Sequence, residues 1–320
     1  MKAALVKGAG LIPVYGDFAD PAPSDGESRI AVSAAALSPV VKSRASGTHY
    51  SSSQRFPFGV GIDGVGRLDD GRRVYFVMPR APYGSMAERT VAPSAQCLAI
   101  PDELDDVTAA AIANPGMSSW AAFVERAKLK AGETVLVNGA TGTAGRLAVQ
   151  IAKYLGAKKV VATGRNADAL KSIAALGADI TIPLAADDAA LEDELKMQFA
   201  QGVDVVIDYL WGRSAERLLI AGAKAGLDAI PIRFVQVGSA SGSDIALPSA
   251  ALRSSAIELM GSGIGSIPLD RFVNAIGNLL HAAVPGGFQI ATNPIPLSDV
   301  EDAWSRDDSK GRIVFTSAPA

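Results

Sequence analysis

Between Thr134 and Gly263 the sequence alternates short apolar runs with amphipathic segments, and this alternation constrains the fold more than any other feature. The apolar runs are TVLVNGA, KKVVATG, DITIPL, VDVVIDYL, IRFVQVG and IELMGSG. The middle runs are nearly continuous in Val and Ile, which is typical of parallel strands that helices cover on both faces. The pattern therefore predicts an α/β fold with a doubly wound parallel sheet.

The sequence before Thr108 has a different texture, with short apolar runs such as RIAVSAAAL and RRVYFV separated by Gly, Pro, Asp and Ser. This texture is typical of a β-rich, turn-rich domain. A chain of 320 residues is longer than one hydrophobic core usually covers, so two domains are expected. We expect the tail, which ends in the strand-like RIVFTS, to return to the first domain. The predicted division is 1–118 with 264–320, and 119–263.

Composition excludes several classes of function. The net charge of −3 gives no electrostatic reason to expect nucleic acid or an acidic membrane as a partner. The N-terminus lacks the apolar core of a signal peptide, so a cytoplasmic protein is expected. With one cysteine, Cys97, and two histidines, His49 and His281, no intrachain disulfide can form. No Cys-x-x-Cys or His-x-x-x-His spacing exists, so no metal site is predicted.

Two glycine-rich segments invite a nucleotide-binding interpretation. The first glycine segment, Gly59–Gly66, contains the literal pattern G-x-G-x-x-G, but no strand precedes it and no helix follows it. A dinucleotide fingerprint needs a strand that delivers the glycines to a helix N-terminus, where free N–H groups bind the pyrophosphate. The first glycine segment is therefore predicted to be a turn.

The second glycine segment, Gly139–Gly145, departs from the literal pattern but has the required context. TVLVN precedes it as a strand, and RLAVQIAKYLG follows it as an amphipathic helix. Gly142 would let a phosphate approach the backbone, and Gly145 would let the helix pack closely on the sheet. The alternative is a tight turn that binds no ligand. The predicted cofactor-binding residues here are Ala140, Thr141, Gly142, Thr143, Ala144 and Gly145.

The end of the second strand decides between the two nicotinamide cofactors. An acidic residue there would bind the ribose hydroxyl of NAD, whereas a basic residue accommodates the 2′-phosphate of NADP. This corner reads Gly164-Arg165-Asn166, with no acid. A guanidinium can bind a phosphate through two parallel hydrogen bonds. We therefore expect NADP(H) as the cofactor, with Gly164, Arg165 and Asn166 at the 2′-phosphate. The alternative is that Arg165 is an ordinary surface arginine.

With these segments identified, the chain resembles the medium-chain dehydrogenase/reductase superfamily, and within it the zinc-independent quinone oxidoreductase branch. The similarity extends over nearly the whole chain. The segments that carry it are MKAALVKGAG, PFGVGIDGVGRL, YGSMAERTVAP, IANPGMSSWAAF, NGATGTAG and LSDVEDAWSRDDSKGRIVF.

The resemblance implies a GroES-like catalytic domain, a Rossmann domain and an active site in the cleft between them. It implies that Ser118, Tyr209, Leu210, Val237, Gly238 and Ser239 lie near the nicotinamide. On the substrate side it implies Ser38, where zinc-free relatives often have Asn, and Tyr50. Tyr50 is the best candidate for the proton donor, with a packing role as the alternative.

The expected function is hydride transfer from NADPH to a quinone or a conjugated carbonyl without zinc. The nearest alternative is a reductase of enones, enals or enoyl thioesters, which would use the same cofactor. A more distant alternative is a protein that senses NADP(H) without catalysis. A zinc alcohol dehydrogenase would require metal in the purified protein. The apolar segment Ile257–Gly263 is expected at the sheet edge, where it could form a homodimer.

Overall fold

The structure is a computed structural model that describes residues 1–48, 55–185, 187–307 and 310–317. The chain folds into two compact units. Unit 1 consists of Met1–Asn114, Leu280–Pro285 and Gln289–Ala320. Unit 2 consists of Pro115–Leu279 and Gly286–Phe288. The sequence placed the two divisions after residues 118 and 263, and the structure places them after residues 114 and 279.

The regular elements number as follows along the chain. The strands are β1 (Lys2–Val6), β2 (Val14–Asp17), β3 (Glu27–Ala36), β4 (Phe58–Gly59), β5 (Asp63–Leu68), β6 (Arg73–Val77), β7 (Arg89–Pro93), β8 (Cys97–Ala99), β9 (Thr134–Asn138), β10 (Lys159–Gly164), β11 (Ile180–Pro183), β12 (Val205–Asp208), β13 (Ile232–Gln236), β14 (Ile257–Gly261), β15 (Thr292–Pro296) and β16 (Arg312–Thr316). The helices are α1 (Pro39–Ser46), α2 (Asp106–Ala121), α3 (Thr143–Tyr154), α4 (Ala167–Ala174), α5 (Asp188–Ala200), α6 (Gly212–Ala225), α7 (Ser249–Arg253), α8 (Leu269–Ala283) and α9 (Val300–Ala303).

Unit 1 is built on two sheets. A three-stranded sheet has the order β2-β1-β4, and a seven-stranded sheet has the order β15-β16-β3-β5-β6-β8, with β7 also paired to β3. The C-terminal strand β16 pairs antiparallel with β3, so the end of the chain completes the sheet of unit 1. Val6, Leu37 and Phe315 belong to one buried cluster beneath these strands.

Unit 2 contains a six-stranded sheet of order β11-β10-β9-β12-β13-β14, and every neighbouring pair is parallel. Val135, Leu136 and Val137 of β9 are fully buried, as expected for a central strand covered on both faces. The chain runs outward from β9 in one direction to β11 and then in the other direction from β12 to β14. The carboxyl ends of β9 and β12 therefore flank a topological switch point, where such folds bind ligands. This sheet confirms the predicted α/β fold.

The first glycine segment differs from its prediction. Gly59 belongs to the short strand β4 and Asp63–Leu68 forms β5, so the prediction of a turn was wrong for most of this segment. The reason is that β5 pairs with both β3 and β6, and these long-range partners extend glycines that would otherwise favour a turn.

Helix α1 was not predicted, although its start carries a readable signal. Ser38 accepts a hydrogen bond from the Val41 amide, and Pro39 takes the first position of the helix. Both are favoured at helix N-termini. In the part of the chain that the structure describes, no helix is long and apolar enough to cross a bilayer.

Candidate functional site

The second glycine segment connects the carboxyl end of β9 to the first turn of α3. Gly139 has a φ of 89°, a left-handed conformation that turns the chain away from the strand. The Ala140 amide donates to the Thr163 carbonyl at 2.8 Å, and the Gly142 amide donates to the Gly139 carbonyl at 3.3 Å. Gly142 then takes the N-cap position of α3, with no side chain capping the helix. The first turn of α3 therefore presents backbone N–H groups that can bind an anion.

The glycines at positions 142 and 145 have different surroundings. A Cβ on Gly142 would meet only the Gly139 carbonyl oxygen, at 3.8 Å, and otherwise open space. A Cβ on Gly145 would overlap that same oxygen and come within 2.7 Å of the Ala140 Cα. Gly145 is therefore required for packing of the helix against the loop, whereas Gly142 leaves room for a ligand beside the backbone.

The remaining loop residues differ in exposure. Ala140 is buried, Thr141 and Ala144 are half-buried, and Thr143 is exposed. The hydroxyl of Thr143 is thus open to solvent at the start of α3, while the Thr141 side chain packs against Gly164 at the end of β10.

A buried polar network supports the loop from below, and the sequence analysis did not find it. The Asn138 side-chain amide donates to the Asp208 carboxylate at 2.7 Å, and the Thr163 hydroxyl donates to the Asn138 oxygen at 2.6 Å. The Gly139 amide in turn donates to the Thr163 hydroxyl at 3.3 Å. Asn138 and Asp208 end β9 and β12, and Thr163 is the last residue but one of β10; parallel pairing places the three side by side. Burial raises the pKa of Asp208 above its usual range.

The carboxylate of Asp208 also fixes the loop that follows β12. It accepts hydrogen bonds from the amides of Leu210, at 3.0 Å, and Trp211, at 3.1 Å. Trp211 has φ 57° and ψ −155°, a backbone conformation that is costly for any residue with a side chain. The strained turn persists because a buried carboxylate holds its amides.

Tyr209 forms a hydroxyl pair with α2. Its phenol lies 2.7 Å from the Ser119 hydroxyl, which also lies 3.2 Å from the Ala144 carbonyl in the first turn of α3. Ser118, the residue singled out from the sequence, donates to the Pro115 carbonyl at 2.7 Å. Burial raises the pKa of Tyr209, so the phenol keeps its proton at neutral pH.

The loop after β13 is packed against the loop after β12. The amides of Val237 and Gly238 donate to the Asp208 carbonyl at 2.7 and 3.1 Å. Ser239 is exposed at the end of this segment. The structure thus brings Tyr209, Leu210, Val237 and Gly238 together at the carboxyl edge of the sheet.

The end of β10 presents one guanidinium to solvent. Gly164 is buried, Arg165 is exposed, and the Asn166 side chain accepts from the Ala169 amide at 3.0 Å, which caps α4. Among the described residues, no ion pair involves Arg165. A second arginine that the sequence analysis missed, Arg146 of α3, donates to the Ser172 hydroxyl of α4 at 3.0 Å.

The roles of the two catalytic candidates, Ser38 and Tyr50, both remain predictions. Ser38 is 1% exposed and its hydroxyl caps α1, so its role toward a substrate stays a prediction. Tyr50 lies outside the described residues, and its role as proton donor also stays a prediction.

The sequence and the described residues offer few metal ligands. Within the described ranges, no group of three or more His, Cys, Asp or Glu side chains could hold a metal ion. Cys97 is half-buried, and burial raises the pKa of its thiol to about 11, which keeps it protonated.

Comparisons with known proteins agree on the type of fold. The sequence profile of the zinc-binding dehydrogenases matches residues 144–280. A probable NADPH-dependent quinone reductase of Emericella nidulans is 29% identical, over 95% of this chain and 96% of its own length. The crystal structure of the Thermus thermophilus quinone oxidoreductase, also solved with NADPH, superposes with a TM-score of 0.81 at 25% identity, over 99% of this chain and 100% of that one.

A second similarity covers only part of the chain. A trans-enoyl reductase of Aspergillus terreus is 33% identical over 39% of this chain and 34% of its own length. Together, these similarities support an assignment to the medium-chain dehydrogenase/reductase superfamily, in its quinone oxidoreductase-like branch.

Proposed function

We propose that this protein is an NADPH-dependent oxidoreductase that transfers hydride to a quinone or a conjugated carbonyl without zinc. The observation that carries the proposal is the open space beside Gly142 at the start of α3, next to a switch point of the parallel sheet. The similarity to NADPH-dependent quinone reductases supports the same conclusion.

The residues present fit NADP(H). The amides at the start of α3 and the Thr143 hydroxyl would bind the pyrophosphate, and the exposed Arg165 would bind the 2′-phosphate. Tyr209, Leu210, Val237, Gly238, Ser239 and Ser118 would border the nicotinamide.

Reduction of a quinone to a hydroquinone takes two electrons and two protons. A hydride from the bound cofactor would supply both electrons and one proton, and the surroundings would supply the second proton. A flat, electron-poor acceptor needs no metal to polarise a single carbonyl. The chain's own contribution is to orient the reactants and exclude water. The Tyr209–Ser119 pair holds a proton at the phenol oxygen, and Tyr50 is the proposed donor on the substrate side.

The test is oxidation of NADPH, followed by absorbance, with a panel of quinones, enones and enoyl thioesters. We expect turnover with quinones and weaker turnover with NADH than with NADPH. Turnover confined to enones or enoyl thioesters would favour the double-bond reductase, which the trans-enoyl reductase match supports. Tight cofactor binding without turnover on any acceptor would favour a sensor, and stoichiometric zinc by elemental analysis would refute zinc independence.

We further propose a homodimer formed by Ile257–Gly263. Strand β14 ends the six-stranded sheet and pairs with β13 on one side only. Its Leu259 is 38% exposed, so the edge offers both unpaired backbone groups and apolar surface. Sedimentation should give twice the chain mass, and Leu259→Lys should give the monomer; a wild-type monomer at working concentration contradicts the proposal.

A further inference from the structure

Asp208, the last residue of β12, has a fully buried carboxylate whose neighbours are hydrogen-bond donors. Its Oδ1 accepts from the Asn138 side-chain amide at 2.7 Å and from the Leu210 backbone amide at 3.0 Å. Its Oδ2 accepts from the Trp211 backbone amide at 3.1 Å. Burying a carboxylate is costly unless such bonds replace the water that it loses. Both oxygens therefore act here as acceptors, toward one side chain and two consecutive backbone amides.

The four residues Tyr209–Gly212, which we call the β12 turn, have a backbone that their sequence does not favour. Trp211 lies at φ 57° and ψ −155°, a region that is essentially restricted to glycine. Gly212 follows with a φ of 56°. Because the Asp208 carboxylate binds the amides of the two middle residues of this turn, it offsets the strain at Trp211.

The loop after β13 is attached to the β12 turn. The Ser241 amide donates to the Leu210 carbonyl at 2.7 Å. A Cβ on Gly238 would lie 2.7 Å from the Tyr209 carbonyl oxygen, so the two backbones are in direct contact there. A Cβ on Gly212 would lie 3.0 Å from the Ser241 carbonyl oxygen. A change in the conformation of the β12 turn therefore displaces the loop after β13 as well.

The second glycine segment has supports of its own. The Thr163 carbonyl accepts from the Ala140 amide at 2.8 Å, and the Thr163 hydroxyl donates to the Asn138 oxygen at 2.6 Å. The Asn138 amide has a further acceptor, the Ser214 hydroxyl, at 3.0 Å. None of these bonds uses the Asp208 carboxylate as the acceptor. Loss of that carboxylate should therefore disturb the β12 turn more than the second glycine segment.

We propose that Asp208 is a positioning residue for the nicotinamide end of the cofactor. Its carboxylate holds the β12 turn, and through it the loop after β13, in the conformation that binds this end, although the buried carboxylate does not touch the cofactor. The adenosine and pyrophosphate end depends on the second glycine segment and not on Asp208. The identity of the ligand rests on the proposed function, whereas the link between the carboxylate and the turn does not.

The variant Asp208→Asn tests this division. Asparagine has the same shape, but it replaces one acceptor oxygen with an NH2 donor that must face another donor. Calorimetry compares NADPH with 2′-phospho-ADP-ribose, which carries the phosphates and no nicotinamide. We expect the variant to bind NADPH about tenfold or more weakly, and its affinity for 2′-phospho-ADP-ribose to change less than about threefold.

The matched control lies at the other end of the same strand. Asp204 directly precedes β12, and its carboxylate also accepts from a backbone amide, that of Thr134, at 2.7 Å. Asp204→Asn should therefore leave both affinities unchanged, whatever it does to stability. If Asp208→Asn loses equal affinity for NADPH and for 2′-phospho-ADP-ribose, or loses affinity for neither, the positioning role is overturned.

A second measurement, made without cofactor, tests the link between the carboxylate and the turn. Trp211→Gly lets the β12 turn keep its backbone without strain, so the carboxylate has less to hold. In a double-mutant cycle followed by melting temperature, Asp208→Asn should cost less than half as many degrees in the Trp211→Gly background as in the wild-type protein. Equal costs in the two backgrounds contradict the link.

The two measurements distinguish failure of this proposal from failure of the proposed function. If the wild-type protein binds neither NADPH nor 2′-phospho-ADP-ribose, the proposed function fails and the positioning role fails with it, while the cycle still decides whether Asp208 holds the β12 turn. If Asp208→Asn alone does not fold, Asp208→Asn/Trp211→Gly should fold. A double variant that also remains unfolded overturns the proposal.

Discussion

The two glycine segments carry similar letters, yet Gly66 of the first and Gly142 of the second have opposite surroundings. In the first glycine segment, a Cβ on Gly66 would overlap the Ala31 carbonyl oxygen and lie 2.6 Å from an Ile30 methyl carbon. In the second glycine segment, a Cβ on Gly142 would have one neighbour, at 3.8 Å. The first needs glycine because neighbouring strands occupy the space, whereas at Gly142 the space is open. Glycine spacing alone therefore does not identify a ligand site. The atoms that an added Cβ would meet show whether a glycine is needed for packing or leaves space for a ligand.

The largest expected effect is in the first glycine segment. Gly66→Ala should lower the free energy of unfolding by about 4 kcal/mol or more, because the new methyl group overlaps the backbone of β3. Urea denaturation measures this change. A Cβ added at Gly277 of helix α8 would meet no atom within 4 Å, so Gly277→Ala is the control and should not destabilise the protein. A stable Gly66→Ala variant would contradict the packing argument.

The matching change in the second glycine segment should spare the fold. The backbone of Gly142, at φ −77° and ψ 165°, suits valine, so Gly142→Val should melt near the wild-type temperature without cofactor. Its side chain fills the space left for the pyrophosphate, and NADPH affinity should fall about a thousandfold or more. Calorimetry with NADPH gives the answer, and normal binding would place the cofactor elsewhere.

The first glycine segment also contains a buried acid. Asp63 is 3% exposed and accepts a hydrogen bond from the Tyr75 hydroxyl. Burial raises the pKa of Asp63 from 3.8 to about 6, against the opposing effects of Tyr75 and Arg312. Between these two values the native state holds a proton that the unfolded state has released, so stability falls as the pH rises from about 4 to about 6.

The contribution of Asp63 to this pH dependence is at most roughly 3 kcal/mol, because one pKa unit corresponds to about 1.4 kcal/mol. Asp63→Asn keeps an acceptor for Tyr75 and cannot titrate. Its free energy of unfolding, measured by denaturation at several pH values, should lack this fall. Parallel curves for the two proteins between pH 4 and 6 would show that Asp63 does not titrate as stated.

The smallest expected effect concerns the exposed residue beside the second glycine segment. Arg165→Ala should weaken NADPH binding about tenfold to a hundredfold and leave NADH binding nearly unchanged, since a hydrogen bond to a charged group is worth about 1.5–3 kcal/mol. Arg253→Ala, an exposed arginine of α7, is the matched control. Equal losses for the two cofactors would refute the 2′-phosphate assignment.

Much of unit 2 could be predicted because its signals are local. Continuous Val and Ile runs identify buried parallel strands, and a strand before the glycines and a helix after them identify the loop. The start of α1 was equally local, since Ser38 and Pro39 form a standard N-terminal pair, and here the signal was overlooked.

The buried network at the switch point could not be predicted from local signals. Asn138, Thr163 and Asp208 are brought together only by the strand order, which links residues far apart in sequence. The rotation of α2 determines which of its serines lies beside Tyr209, and sequence alone does not fix that rotation. In the structure the Ser119 hydroxyl lies 2.7 Å from the Tyr209 phenol oxygen. In the first glycine segment, pairing of β5 with β3 and β6 overrode the turn preference of its glycines.

The strained backbone of Trp211 has a consequence for how this protein would respond to selection. Its φ of 57° with ψ of −155° is comfortable only for glycine, so Trp211→Gly would relieve the backbone and remove a large ring from the loop after β12. A mutant library selected for heat tolerance alone should enrich glycine at this position. A library selected for turnover should retain the indole if the ring contributes to the reaction. The two selections would therefore distinguish the requirements of thermal stability from those of catalysis at this one position.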